Sequence, residues 1–419
     1  MKALWLCNVP ISKISSYMSS EGKHPFGGWL EGASDAFLSD NNNSLIILFP
    51  WRSDVPICGS IDNLRFYSFN YANNSKTKIE KLTNSFKEII SKEEPDIIHI
   101  WGTEYPYSYY LMQSVKSFGL EKRVVIWIQG LVSIYALHYV EGLNWKILHL
   151  RSLRDIIKND SLIQQQKRLA ERGRFEERLI SDAYYVIGRT DWDRACSYQI
   201  NKNVKYFSCN ETLRSDFYNQ RWDLEKVRRN TIFVSQGNVP HKGLHYALRI
   251  VSILKVKYAN IKLICAGFNR NQNSKFYYSS YELYINYLIE KYGLQDNIYF
   301  TGLLDEQEMI KAYLSCHVFL SSSSIENSSN SVCEAMLLGM PVVASYVGGI
   351  PSLITNNEEG LLYPLDEPYM AAYQIDNIFS DDTIAKRLGE NARKKAVIAH
   401  DRNRNYINLI EIYNSILTE

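Results

Sequence analysis

At 419 residues the chain is long enough for two or three domains, and 46% hydrophobic with 22% charged residues is ordinary for a folded protein. Lysine and arginine number 47 against 45 acids, a balance that leaves no electrostatic footprint for nucleic acid. The 7 cysteines are scattered, odd in number and free of any CxxC or Cys/His cluster, which argues against a disulfide framework or a zinc site and for reduced, cytoplasmic thiols. No uncharged apolar window approaches the roughly 18 residues of a membrane span, and the opening MKALWLCNVPISK suits a buried first strand better than a signal peptide.

In chain order, residues 3–6 are that strand. His24-Pro25-Phe26-Gly27-Gly28-Trp29 follows and precedes an apolar-periodic helix over 30–38. Paired glycines before a helix let a backbone approach a ligand, and they also mark plain turns. Residues 44–49 (SLIILF) are the second strand, 79–91 an amphipathic helix, and 95–101 (PDIIHIW) the next strand. His99 sits among apolar neighbours and reads as a structural histidine. Glu104 lies beyond that strand's carboxyl end, where an open sheet presents its cleft. Residues 124–128 form a further strand, ending in Gln129-Gly130.

Residues 145–178 change character. Nine basic side chains stand against five acidic ones, with Trp145, Ile147, Leu148, Leu150 and Leu153 supplying an apolar side. A basic amphipathic helix can lie on an anionic membrane surface; the same pattern also fits a solvated helix facing an acceptor. After the strand 183–187, Arg189 stands at a carboxyl end, where it suits either an anionic group or a structural ion pair. Asp191-x-Asp193 could hold a divalent cation, but it opens a helix, where acids are favoured anyway, so no metal is expected. Residues 201–230 are weakly periodic and read as the connection between domains.

A second α/β unit starts at the strand 231–235. Its loop, Gln236 to Gly243, ends in Lys242-Gly243 before a helix, and a lysine there favours negative charge. Strands follow at 261–266 and 298–301, the latter ending in Gly302-Leu303-Leu304. The run Ser321 to Pro351, SSSSIENSSNSVCEAMLLGMPVVASYVGGIP, is strand end, polar loop, helix, Gly-Pro stop and strand. The helix opens near Asn330, so free amides make an anion site suited to phosphate. Glu326 and Glu334, eight positions apart, are better placed to accept from hydroxyls, and the combination suits a nucleotide-sugar.

Glu326-x7-Glu334 in register with EAM, GMPVVAS and VGGIP resembles the donor site of family-4 glycosyltransferases, retaining enzymes of the GT-B fold. The resemblance implies an α/β chain of two Rossmann-like domains facing across a cleft: an acceptor domain over 1–205, a donor domain over 206–398, and a helix over 399–419 returning to the first domain. It implies that Lys242 meets the donor diphosphate together with the backbone of Asn327, Ser328, Ser329, Asn330 and Ser331. Gly27 and Gly28 match the loop that reaches the same group, and the backbone at Leu303 would meet the nucleobase. Glu326 would hold sugar hydroxyls and Glu334 the ribose, with Glu326 and Lys242 as the catalytic pair. Glu104, Gln129 and Arg189 fall on the acceptor side. Two positions depart from the family: many members carry histidine where Gln129 stands and arginine where Gly237 stands. The expected reaction is front-face, metal-independent hexosyl transfer from a nucleotide-diphosphate sugar to a glycan or lipid-linked acceptor, as in surface polysaccharide synthesis, without cofactor or nucleic acid. The expected location is the cytoplasm, with peripheral contact to the inner membrane face through 145–178. A sugar-nucleotide epimerase of the same fold, or a nucleotide-sugar binding protein without turnover, are the alternatives.

Overall fold

The computed structural model describes residues 1–18, 28–53, 55–71, 76–267 and 277–419; Gly27 lies outside them. Two compact units emerge. One comprises Met1–Ser133, Glu171–Arg214 and His400–Glu419, the other Ile134–Ala170 and Ser215–Ala399. Residues 205–208 are a strand of the first sheet, and residues 134–170 group with the second unit.

The first unit is built on eight strands: β1 (Lys2–Leu6), β2 (Ser44–Pro50), β3 (Cys58–Ile61), β4 (Leu64–Phe69), β5 (Ile97–Trp101), β6 (Val124–Trp127), β7 (Tyr185–Gly188) and β8 (Lys205–Ser208), in the order β3-β4-β2-β1-β5-β6-β7-β8. All ladders are parallel except the β3–β4 hairpin, turned through Asp62 at φ 51°. The central strands are covered on both faces, which is why they read as unbroken apolar runs. His99 in β5 is a core residue. Its ring stacks on Trp101 at 4.2 Å between centroids, its Nδ1 lies 2.6 Å from the Tyr413 hydroxyl, and burial drives its pKa well below the usual imidazole range. Tyr413 comes from the helix Arg402–Thr418, which adds Leu409, Ile412 and Ile416 to the same core.

Glu176 is buried in this unit. It accepts from the Thr103 hydroxyl at 2.5 Å, the Val132 and Ser133 amides at 3.1 and 2.9 Å, and the Ser133 hydroxyl at 2.7 Å. Burial nonetheless pushes its pKa up to about 7, against the pull of those donors. An acid whose folded pKa is raised holds its proton more tightly when folded, so stability falls as pH rises from the unfolded value through 7. Urea midpoints measured between about pH 5 and pH 8 should therefore decline in the native chain. Glu176→Gln should flatten that slope, and an unchanged slope would rule out Glu176 as its source.

The second unit has six strands, all parallel: β9 (Arg228–Val234), β10 (Lys262–Ala266), β11 (Ile298–Gly302), β12 (Cys316–Ser321), β13 (Val342–Ser345) and β14 (Leu361–Tyr363), ordered β11-β10-β9-β12-β13-β14. The strand order reverses between β9 and β12. Connections leave these neighbours in opposite directions and open a crevice at their carboxyl ends. Two loops flank it, 235–243 after β9 and 322–329 after β12.

The basic stretch 145–178 is not one helix but three: Trp145–His149, Leu153–Lys158 and Leu162–Ser181. A Ser152/Asp155 capping box restarts the chain after Leu150, and Asn159 at φ 49° stops it again. Among the described residues no helix is long and apolar enough to cross a membrane.

Candidate functional site

The two loops of the second unit are fastened to each other. Ser322 Oγ donates to the carbonyls of Gly243 and Lys242 at 2.9 and 3.3 Å, and the Ser324 amide donates to the His241 carbonyl at 2.8 Å. Lys242 closes a short turn, Pro240–Lys242, ended by Gly243 at φ 71°. That geometry carries the Lys242 ammonium to 2.6 Å from Glu326 Oε1, where the Ser323 hydroxyl also donates at 2.7 Å. Glu326 is held from behind by the Gly348–Gly349 turn, whose Gly349 amide donates to the Glu326 carbonyl at 2.9 Å. The residues that the sequence assigned to chemistry are thus brought into contact from positions 84 apart in the chain.

Beyond Glu326 the helix Asn330–Leu338 opens without a side-chain cap: Ser329 occupies the N-cap position but makes no capping bond. Two buried oxygens there, Ser328 Oγ and Asn330 Oδ1, have no partner among the described residues. Buried oxygens left unpaired cost free energy unless a ligand satisfies them. Ser331 lines one cavity with Lys242, Glu326, Ser235 and Gln236. Glu334 is buried one turn into the helix, with the Tyr313 hydroxyl 3.5 Å from its Oε2. The Asn327 amide is engaged differently, donating to the Tyr135 hydroxyl at 2.9 Å. Leu303, after β11, exposes its side chain.

Tyr135 and its neighbours carried no signal in the sequence. Residues 134–141 pack on the site from one side. The His241 ring lies against Tyr135 and Tyr139, with centroids 5.8 and 5.5 Å away, and Ser324 Oγ donates to the His138 carbonyl at 2.8 Å. Burial, aided by the adjacent Lys242 charge, pushes the His241 pKa down to about 3, so the imidazole is neutral beside that lysine.

Gly237 has a steric explanation. A Cβ built there would sit 2.4 Å from Cys265 Sγ and 2.9 Å from Leu244 Cδ2. Gly237→Arg should therefore lower stability by about 1–3 kcal/mol, as overpacking does, without tightening nucleotide binding. Calorimetry with and without ligand reads both, and tighter binding at unchanged stability would refute the steric account.

In the first unit, Arg189 forms an ion pair with Glu211 at 2.6 Å, both side chains 2% exposed, and Gln129 Nε2 donates to the other Glu211 oxygen. Glu211 was not picked out in the sequence. Glu104 accepts from Asn8 Nδ2 at 3.2 Å, and burial raises its pKa. Asp193 is a helix cap: it completes a capping box with Thr190 and accepts from the Tyr206 hydroxyl at 2.5 Å. Gly28 begins the helix Gly28–Leu38.

Residues 216–395 match the family model described as glycosyl transferases group 1. An MMP alpha-(1->4)-mannosyltransferase of Mycolicibacterium hassiacum is 26% identical over 175 residues, 41% of this chain and 39% of that protein. A D-inositol 3-phosphate glycosyltransferase of Corynebacterium glutamicum is 28% identical over 110 residues, 26% of each chain. The chain thus matches about two fifths or less of the length of these curated relatives. Among solved structures, a sucrose-phosphate synthase from Thermosynechococcus elongatus superposes at TM-score 0.70 with 16% identity, over 100% of this chain and 99% of that one. Anabaena HepE in complex with UDP-glucose does so at TM-score 0.67 with 15% identity, over 99% and 100%. The chain has the GT-B fold, and its residues 216–395 carry the sequence pattern of the group 1 glycosyl transferases.

Proposed function

We propose that the protein is a retaining glycosyltransferase that moves a hexosyl group from a nucleotide-diphosphate sugar to a glycan or lipid-linked acceptor, as in surface polysaccharide synthesis. One observation carries this reading: a helix N-terminus without a side-chain cap, two buried oxygens with no partner among the described residues, and the Lys242–Glu326 pair meet at the switch point of the second sheet. The UDP-glucose held by HepE, a protein of the same fold, supports a nucleotide-sugar as donor.

As the glycosidic bond breaks, charge gathers on the departing diphosphate. Lys242 and the amides of residues 329–331 stabilise it where it develops. Lys242 moves from the Glu326 carboxylate toward the diphosphate, and Glu326 turns to the sugar hydroxyls. Glu334 takes the ribose hydroxyls, and the backbone at Leu303 meets the base. Gln129, Glu104 and Arg189 act on the acceptor side, with Glu211 holding two of them in place. No carboxylate serves as nucleophile, so the acceptor attacks from the face the diphosphate leaves, and no metal or cofactor takes part.

The test is nucleotide release from UDP-, GDP- and TDP-sugars with and without a lipid-linked or glycan acceptor, with the product anomer read by NMR. Acceptor-dependent release with retained configuration is expected, insensitive to EDTA. Interconversion of the donor without acceptor would replace the reading with an epimerase. Thermal stabilisation by a nucleotide-sugar with no turnover on any acceptor would leave a binding protein.

A further inference from the structure

We propose that the face formed by the helices Trp145–His149 and Leu153–Lys158, with the start of Leu162–Ser181, is a docking surface for an anionic lipid bilayer. The helix Leu153–Lys158 is turned the wrong way for a water-facing element. Its one acidic residue points inward: Asp155 is buried, completes the Ser152 cap and accepts from the Ser280 amide at 2.9 Å. Its apolar residues point outward: Leu153, Ile156 and Ile157, at the i, i+3, i+4 spacing of one face, are all exposed, Ile157 to 83%. Trp145 (68% exposed), Leu150 and Ile163 continue the patch. Seven of the 25 exposed large hydrophobic residues of the described chain fall within residues 137–163, a density that marks an interaction surface rather than scattered exposure.

Charge selects the occupant. Residues 145–168 carry six basic and two acidic side chains, a net +4, whereas the whole chain is +2, so the remainder is net negative. Both acids are consumed locally, Asp155 by the cap and the Ser280 amide and Asp160 by Arg154 and Arg168. Lys146, Arg151 and Lys158 remain around the apolar centre, and Trp145 is the residue type favoured at a membrane–water boundary. Apolar wedge, tryptophan and basic rim together are what an interfacial surface needs against anionic headgroups. A second copy of this chain would set the same positive face against itself, a like-charge contact that such pairing penalises.

The proposal deepens the transferase reading, since it would bring the chain to a lipid-linked acceptor, yet it is measured separately. The full chain is sedimented with vesicles of phosphatidylcholine alone and of phosphatidylcholine with phosphatidylglycerol, at low and high salt. Binding to the anionic vesicles only, weakened by salt, is expected. The triple variant Lys146→Glu, Arg151→Glu, Lys158→Glu should bind about a hundredfold more weakly, and Ile156→Glu with Ile157→Glu should abolish binding. Both should keep the native thermal stabilisation by a nucleotide-sugar. Failure to bind anionic vesicles, or equal binding by either variant, overturns the proposal. So does concentration-dependent self-association that disappears in the isoleucine variant, which would make the face a contact between copies. Vesicle binding without any response to nucleotide-sugars would leave the surface intact and remove the transferase.

Discussion

Lys242→Ala should cut acceptor-dependent nucleotide release by about 100- to 1000-fold, the cost of removing one preorganised partner of a developing anion. The lysine has a second role that must be separated from this one. It is the cation paired with Glu326, whose side chain is only 6% exposed, and its removal leaves that carboxylate to the Ser323 hydroxyl, with no cation beside it among the contacts of the described residues. Breaking a largely buried pair by removing one partner is destabilising, so Lys242→Ala should also lower the thermal midpoint. The double variant Lys242→Ala/Glu326→Ala distinguishes the roles. It removes the stranded charge and should regain much of the lost stability, while turnover stays as low as in Lys242→Ala or lower. If turnover recovered along with stability, Lys242 would be a partner for Glu326 and nothing more. If Lys242→Ala lost stability yet kept native turnover, the diphosphate assignment would fall.

What could be read from the sequence and what could not divide along a physical line. The run from β12 to the Gly348–Gly349 turn was legible because each decision in it is local. Apolar residues enter a buried strand, Gly339 ends the helix in the left-handed conformation at φ 79°, and two glycines make the next turn. The two-domain architecture was implied by the resemblance that this run carries, beside the second α/β unit read from the strand at 231–235. Contacts between distant segments left no such trace. Tyr135 is 192 residues from the amide it accepts from, and nothing local to either marks the pairing. Arg189 was recognised as a strand-end cation, but its Glu211 partner lies past a helix and a strand, in a stretch that reads as linker. The basic segment shows a third kind of limit. Periodicity tells which residues share a face of a helix and not which face turns inward. Leu153 and Ile156 would pass for core on pattern alone, and it is the burial of Asp155 that reverses them.

Gly348→Ala and Gly243→Ala should be the most damaging small substitutions in the second unit. Both glycines have positive φ, 49° and 71°, and both lie where another loop passes at backbone distance. A Cβ at Gly348 would stand 2.0 Å from the Glu326 carbonyl oxygen, and one at Gly243 1.8 Å from the Ser322 carbonyl oxygen. Since the obstructing atoms are backbone, relief requires moving a loop that carries a site residue. Gly119 supplies the control: its φ is 68°, but nothing lies within 4 Å of a Cβ there. Gly119→Ala should cost only the left-handed penalty, about 1–2 kcal/mol. Gly348→Ala and Gly243→Ala add a backbone clash and should exceed about 4 kcal/mol, the range reserved for severe steric defects. Where enough folded protein survives at low temperature, its turnover should be reduced by about a hundredfold, because displacing a positioned group by about 1 Å costs that much. Urea unfolding of the three variants side by side decides the matter. Equal losses at positions 119, 243 and 348 would mean that the loops yield freely, and that Glu326 and Lys242 are not held in place by the close approach of the backbone around them.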